Sequence, residues 1–158
     1  MSTWPADWEQ RRRGVACPAC AEGRPETIPD GRRFSQGPTA DAYLCSPTAA
    51  AGYTLVFWRG RHVADLTELD GAEWSSFTAE LRLVSRAIEA VYRPAKLNVM
   101  LLGNTLPHLH AHIVPRYLDD PNPSSPPLFM MDGGEALRGH EHAIAELRAA
   151  VEVLRAGE

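Results

Sequence analysis

The sequence predicts an α+β domain: an antiparallel sheet of about five strands, one long helix packed on it, and a second helix near the C-terminus. Three observations predict it. Residues 42–45, 53–58, 97–102 and 109–114 are short apolar runs of strand length and strand composition. The stretch that follows Asp70 carries apolar side chains at the alternating intervals of a helix. The strand-like runs cluster along the chain, and the two helical patterns stand apart from them.

Taken in order, residues 1–14 hold Trp4, Trp8 and the run Arg11-Arg12-Arg13, which reads as a short helix or arm with a solvated basic end. The two tryptophans suit either a partner surface or an arm folded back over a pocket. Residues 21–40, rich in glycine, proline and charge, read as loop with room for one edge strand. The runs at 42–45 and 53–58 then form two strands joined by a Pro-Ala-Gly-rich connection. Asp70 and Glu73 have the spacing of a capping box, with Asp in place of Ser or Thr. Trp74, Phe77, Leu81, Val84, Ile88 and Val91 form the helical stripe, and Pro94 ends it. Residues 97–102 and 109–114 are antiparallel neighbours across a tight connection. Residues 119–134 are a proline-broken surface loop, and residues 136–156 hold the C-terminal helix with Leu137, Ile144, Leu147, Val151 and Leu154 inward. With 158 residues and no internal repeat or linker, the chain reads as one domain over 1–158.

Composition narrows the function. A net charge of −4 argues against a general nucleic-acid surface, so an anionic ligand must be caught by a local site. No run approaches the roughly 18 apolar residues of a membrane span. The first residues lack a signal-peptide pattern, and three cysteines do not make a secreted disulfide framework, so the expected location is cytoplasmic.

Residues 108–114, His-Leu-His-Ala-His-Ile-Val, carry the chemistry. In an extended chain His108, His110 and His112 share one face, while Leu109, Ala111 and Ile113 turn into a core. No packing need asks for three aligned imidazoles, whose ordinary pKa lies near neutrality. The row is the candidate catalytic set. Imidazole is an unprotonated nucleophile at neutral pH, and one that attacks phosphorus needs its other N–H held by an acceptor such as a strand carbonyl. His110, flanked by the other two, is best placed as that nucleophile, with His112 bonding phosphoryl or leaving-group oxygens. Asn98 and the turn residues Gly103, Asn104 and Thr105 are candidate substrate donors to the developing charge. A second constellation, Cys17-Pro-Ala-Cys20, suggests a zinc knuckle or a redox pair, and the thioredoxin-like context of the latter is missing. Two thiolates need two further ligands to close a tetrahedral zinc site. His140 and His142 read as a solvated helix face.

Across residues 98–116 the chain closely resembles the histidine triad (HIT) family of nucleotide hydrolases and transferases. The family pattern His-φ-His-φ-His-φ-φ, with φ apolar, is matched at every position of 108–114. Asn98, the Gly103-Asn104-Thr105 turn, Pro115-Arg116, residues 52–58 and Arg61-His62-Val63 are similar to it too, so the likeness runs over about residues 15–118. The resemblance implies a HIT-like fold, a two-fold homodimer and a nucleotidyl group carried on His110. It also implies cleavage at the α-phosphate of a nucleoside monophosphate conjugate, such as a diadenosine polyphosphate, a nucleoside phosphoramidate or an acyl- or sulfo-adenylate. Pro115-Arg116 and the Gly-Asn turn favour the dinucleoside polyphosphate branch. Zinc-binding bacterial members and the related galactose-1-phosphate uridylyltransferases imply a structural zinc on Cys17, Cys20, His62 and His108, which takes His108 out of acid–base work. One departure stands out: Cys45 occupies the position where many members hold a ribose-binding Asp, and Asp41 lies four residues earlier. Cys45 reads either as an altered nucleoside contact or as a small buried residue. Two other functions stay open: a metal-dependent hydrolase or dioxygenase using the histidine row as ligands, and a zinc-stabilised nucleotide binder without turnover.

Overall fold

The computed structural model describes residues 4–46, 50–127 and 140–157. Leu137 and the last part of the expected surface loop, residues 128–134, lie outside them. Two short helices open the chain, α1 (Trp8–Arg12) and α2 (Pro18–Ala21). Strands β1 (Thr27–Ile28), β2 (Gly31–Gln36), β3 (Ala40–Cys45) and β4 (Thr54–Trp58) follow. A 3-10 turn (Leu66–Glu68) leads into α3 (Gly71–Tyr92), then β5 (Lys96–Leu101), β6 (His110–Arg116) and α4 (His140–Ala156). The strands form one sheet in the order β1-β2-β3-β4-β6-β5. Every neighbouring pair is antiparallel. Among the described residues no helix is long and apolar enough to cross a membrane.

The sheet has six strands because the region expected to be mostly loop supplies both β1 and β2. The register of β2 on β3 slips between Arg33 and Ser35. A bulge there breaks the period-two pattern, and Arg32 and Arg33 hide what apolar signal Phe34 carries.

Helix α3 begins where expected. The Asp70 carboxylate accepts the N–H groups of Ala72 (2.9 Å) and Glu73 (2.8 Å), and the Glu73 carboxylate accepts the Asp70 N–H (3.0 Å). It ends at Arg93, in the left-handed region at φ 50°, just before Pro94. Its buried side chains are Phe77, Glu80, Leu83, Val84, Ala87 and Ile88. Trp74, expected in the stripe, sits in the first turn and is 45% exposed, before the helix reaches the core.

The alternation of β6 divides the molecule. Leu109, Ala111 and Ile113 join Val56, Phe77, Val84, Ile88, Leu147 and Val151 in the core under α3 and α4. His110 and His112 face the other way, opposite Phe57 and Leu55 of β4, with Met100 of β5 opposite His112. One face of β6 thus packs into the main core, and the other carries the two histidines beside smaller buried clusters.

Candidate active site and metal centre

His110 is buried against the ring of Phe57, stacked at 5.2 Å between centroids. Its Nδ1 lies 2.6 Å from the backbone carbonyl of His108. A carbonyl only accepts, so Nδ1 carries the proton and Nε2 the lone pair. Burial also pushes the pKa of His110 below its ordinary value, outweighing the carbonyl, and keeps the ring neutral at pH 7.

The ring of His112 lies 4.9 Å from that of His110. Its Nδ1 is 2.8 Å from the hydroxyl of Tyr53, whose ring is parallel to it and buried. Burial, with His110 adding to it, pushes His112 down to about 4. When the Tyr53 hydroxyl donates to Nδ1, the proton of His112 sits on Nε2, and the ring becomes a donor. The residue that sets this was not singled out from sequence: Tyr53 reads there as the first position of a strand, and nothing local marks its hydroxyl as a partner for a side chain 59 residues away.

His108 is turned elsewhere. Its Nε2 donates to the carbonyl of Trp58 at 2.8 Å, and its Nδ1 lies 3.5 Å from the Sγ of Cys17 and of Cys20. His62 does the same from the other side, with Nδ1 3.3 Å from Cys20 Sγ and Nε2 donating to the Arg12 carbonyl at 3.0 Å. The four donor atoms lie within 4.8 Å of one another. A tetrahedral zinc with ordinary bond lengths separates sulfur from nitrogen by about 3.5 Å, so the spacing fits. Each imidazole has its outer N–H fixed by a carbonyl, which turns the inner lone pair towards the centre. Desolvation and the nearby Cys17 thiol push Cys20 up to about 11, the condition a divalent cation reverses. Gly14, at φ 78°, lies flat on His62; a Cβ there would come within 2.9 Å of the ring.

A buried charge network connects the Cys/His cluster to the Phe57 ring under His110. Asp41 is fully buried and accepts from Arg24 (Nη2, 2.6 Å) and Arg59 (Nε, 3.0 Å). Arg59 also donates to the Ala19 carbonyl in α2 (3.2 Å) and to the Tyr43 hydroxyl (3.1 Å), and its guanidinium lies 5.1 Å over Phe57, the ring under His110. Asp41 is thus committed to two arginines and does not stand in for a ribose carboxylate. Cys45 packs with Ala50, Tyr53 and Val114, and burial pushes its thiol up to about 12, which fits the reading of a small buried residue.

The remaining candidates divide. Asn98 sits on the His112 face of β5, and its side-chain oxygen accepts from Arg116 (2.8 Å). Arg116 itself is pinned by Asp120 and by the carbonyls of Asn122 and Ser125. Gly103, at φ 100°, and Asn104 line a hollow beside the turn, and Thr105 is exposed in the same turn. His142 is exposed beside Glu146, as expected of a solvated face, whereas His140 reaches back to the Leu44 carbonyl at 3.4 Å.

The HIT domain family model matches residues 34–119, more than half of the chain. A bis(5'-adenosyl)-triphosphatase from Saccharomyces cerevisiae is 32% identical over 71 residues, 42% of this chain and 34% of that protein. The match thus spans about a third of the curated relative's length. A histidine triad protein from Bradyrhizobium japonicum superposes with a TM-score of 0.68 at 24% identity, covering 77% of this chain and 91% of that one. A zinc-bound histidine triad family protein from Mycobacterium smegmatis gives 0.66 at 23% identity, covering 91% and 99%. At these identities the likeness is one of fold.

Proposed function

Because the chain belongs to the HIT family, we propose that it cleaves nucleoside monophosphate conjugates at the α-phosphate through a nucleotidyl-histidine on His110. The observation that carries this reading is the bond from His110 Nδ1 to the His108 carbonyl, which leaves Nε2 as a neutral nucleophile. Nε2 attacks the α-phosphorus and the bond to the leaving group breaks. Water or another acceptor then attacks the same phosphorus and frees the ring. His112, protonated on Nε2 by way of Tyr53, donates to the phosphoryl or leaving oxygen. The Gly103 N–H, the Asn104 amide, the Thr105 hydroxyl and Asn98 are the proposed further donors to the charge that builds up on phosphorus. The similarity to a bis(5'-adenosyl)-triphosphatase supports a dinucleoside polyphosphate as the substrate class.

Cys17, Cys20, His62 and His108 would hold a structural zinc, which supplies a staple between the N-terminal segment and the histidine strand. This use of His108 speaks against the histidine row as a catalytic metal site, since its inner nitrogen faces the thiols and its outer one a carbonyl. A homodimer is proposed as well. It is supported by β5, whose outer edge pairs with no described strand and which exposes Val99 (50%) and Leu101 (37%).

The test is mass spectrometry of the chain incubated with a panel of nucleotide conjugates. A mass addition of one nucleoside monophosphate on the peptide bearing His110, lost in His110→Ala, is the expected result. Turnover that persists in His110→Ala overturns the mechanism. Nucleotide affinity without turnover in the intact chain identifies a binder instead.

A further inference from the structure

The N-terminal arm has no part in the mechanism above, yet it is built with care. Gly14 lies on His62, and the Arg12 carbonyl accepts from the same ring, so the arm is moored to the metal centre. From there α1 carries Trp8, and the segment before its leading turn carries Trp4, with the two rings edge to face at 5.1 Å. Both rings reach the turn that feeds the histidine strand. With Asp65, Leu102, Gly103 and Asn104 they line a hollow of about 250 Å³. A second hollow of about 380 Å³ opens on the same two rings beside Glu9.

The lining says what these hollows accept. Among the described residues neither is lined by a lysine or arginine, and each is lined by an acidic residue, Asp65 in one and Glu9 in the other. Away from the Gly103–Asn104 end, the acidic residues disfavour a phosphate. The Asp65 carboxylate already accepts the Glu68 N–H in a capping box, but an alkyl chain would leave the Glu9 carboxylate and the Asn104 amide without partners. A flat heterocycle with an exocyclic amino group satisfies all of these features: its face stacks on indole, and its N–H groups meet a carboxylate. The Trp8 indole N–H is buried with no hydrogen-bond partner among the described residues, a donor that a ring nitrogen would satisfy.

Position says which part of the substrate it is. Gly103 and Asn104 belong both to this hollow and to the proposed phosphate cradle. The turn lies at the His110 end of β6, whereas the β3–β4 connection lies at the opposite end, since Phe57 pairs with His110 and Thr54 with Ile113. We propose that the Trp4–Trp8 arm forms a subsite for the nucleobase of the leaving group, so that the chain prefers conjugates whose leaving part carries a second base. This rests on the reading of His110 as nucleophile at the α-phosphate.

The experiment uses the full zinc-loaded chain. Calorimetric titrations in a His110→Asn background, which retains a donor towards the His108 carbonyl, measure affinity for diadenosine tetraphosphate and for AMP. Trp4 is 60% exposed, so Trp4→Ala leaves no core cavity. Trp4→Ala is expected to lower the affinity ratio of the dinucleotide over AMP by about tenfold, the loss of one base–aromatic stack, and Trp4→Phe to restore most of it. In the chain with His110 intact, the kcat/KM ratio for diadenosine tetraphosphate over adenosine 5'-phosphoramidate should fall by a similar factor. AMP binding and an adduct on His110, with both ratios unmoved by Trp4→Ala, overturn the subsite alone. Absence of AMP binding and of any adduct overturns the function and the subsite with it.

Discussion

Replacing Tyr53 by Phe removes one oxygen and leaves the ring among Cys45, Ala50 and Val114, so the packing survives. What is lost is the 2.8 Å bond to His112 Nδ1. A buried polar atom deprived of its partner costs about 1–3 kcal/mol. If that bond is what keeps the proton on His112 Nε2, the same energy is withdrawn from the transition state, where Nε2–H donates. At about 1.4 kcal/mol per factor of ten, kcat should fall roughly five- to 150-fold. KM should change little, because the bond matters most as charge builds up on the phosphoryl oxygens. The assay is steady-state cleavage of a dinucleoside polyphosphate, paired with nitrogen NMR of the His112 ring to read its tautomer. A kcat within twofold of the unmodified chain, with the same tautomer, refutes the role given to Tyr53.

Three other outcomes follow from the geometry. Cys20→Ser should lower bound zinc and drop the melting temperature by more than about 5 °C, since metal binding is also folding energy here; a variant equally stable and equally metal-bound removes the zinc assignment. His112 is held at about 4, below its ordinary 6.5, so between these values the unfolded chain binds more protons than the folded one. Stability should therefore fall as pH drops from about 6.5 towards 4, and activity should stay flat from neutrality down to the lower part of that window; denaturant midpoints and kcat/KM across pH check both. Asp41→Ala strands the guanidinium of Arg59, whose side chain is only 6% exposed, while Arg24 can turn to water. The expected cost is about 3–5 kcal/mol, or roughly 10 °C of melting temperature by calorimetry; a loss under 1 kcal/mol would show the network to be dispensable.

Where local pattern decides a feature, the sequence discloses it. The alternation of residues 110–114 matches the two faces of β6, whereas His108 lies before the strand and turns to the thiols; the Asp70–Glu73 spacing marks the start of α3. Residues 21–40 read as loop with room for one edge strand, and they hold two because a bulge at Phe34 and two arginines mask the period of β2. The Cys17–Cys20–His62–His108 cluster shows why pattern alone stops short. Cys17 and Cys20 announce half a site, but His62 and His108 lie 42 and 88 residues beyond Cys20, and only the family resemblance connected them. Tyr53 and the Asp41–Arg24–Arg59 network are joined through the sheet register, which no window of sequence contains. Asp41 in particular reads as a weak candidate for a sugar contact until its two arginines are seen.

His108 answers to two masters. Its imidazole faces the Cys17 and Cys20 sulfurs, while its peptide oxygen dictates which nitrogen of the His110 ring is bare. Any amino acid could furnish that oxygen, but few could furnish the imidazole. The proposed staple and the proposed reacting ring are consequently neighbours along the backbone, and a disturbance of the first has two residues to travel before it reaches the second.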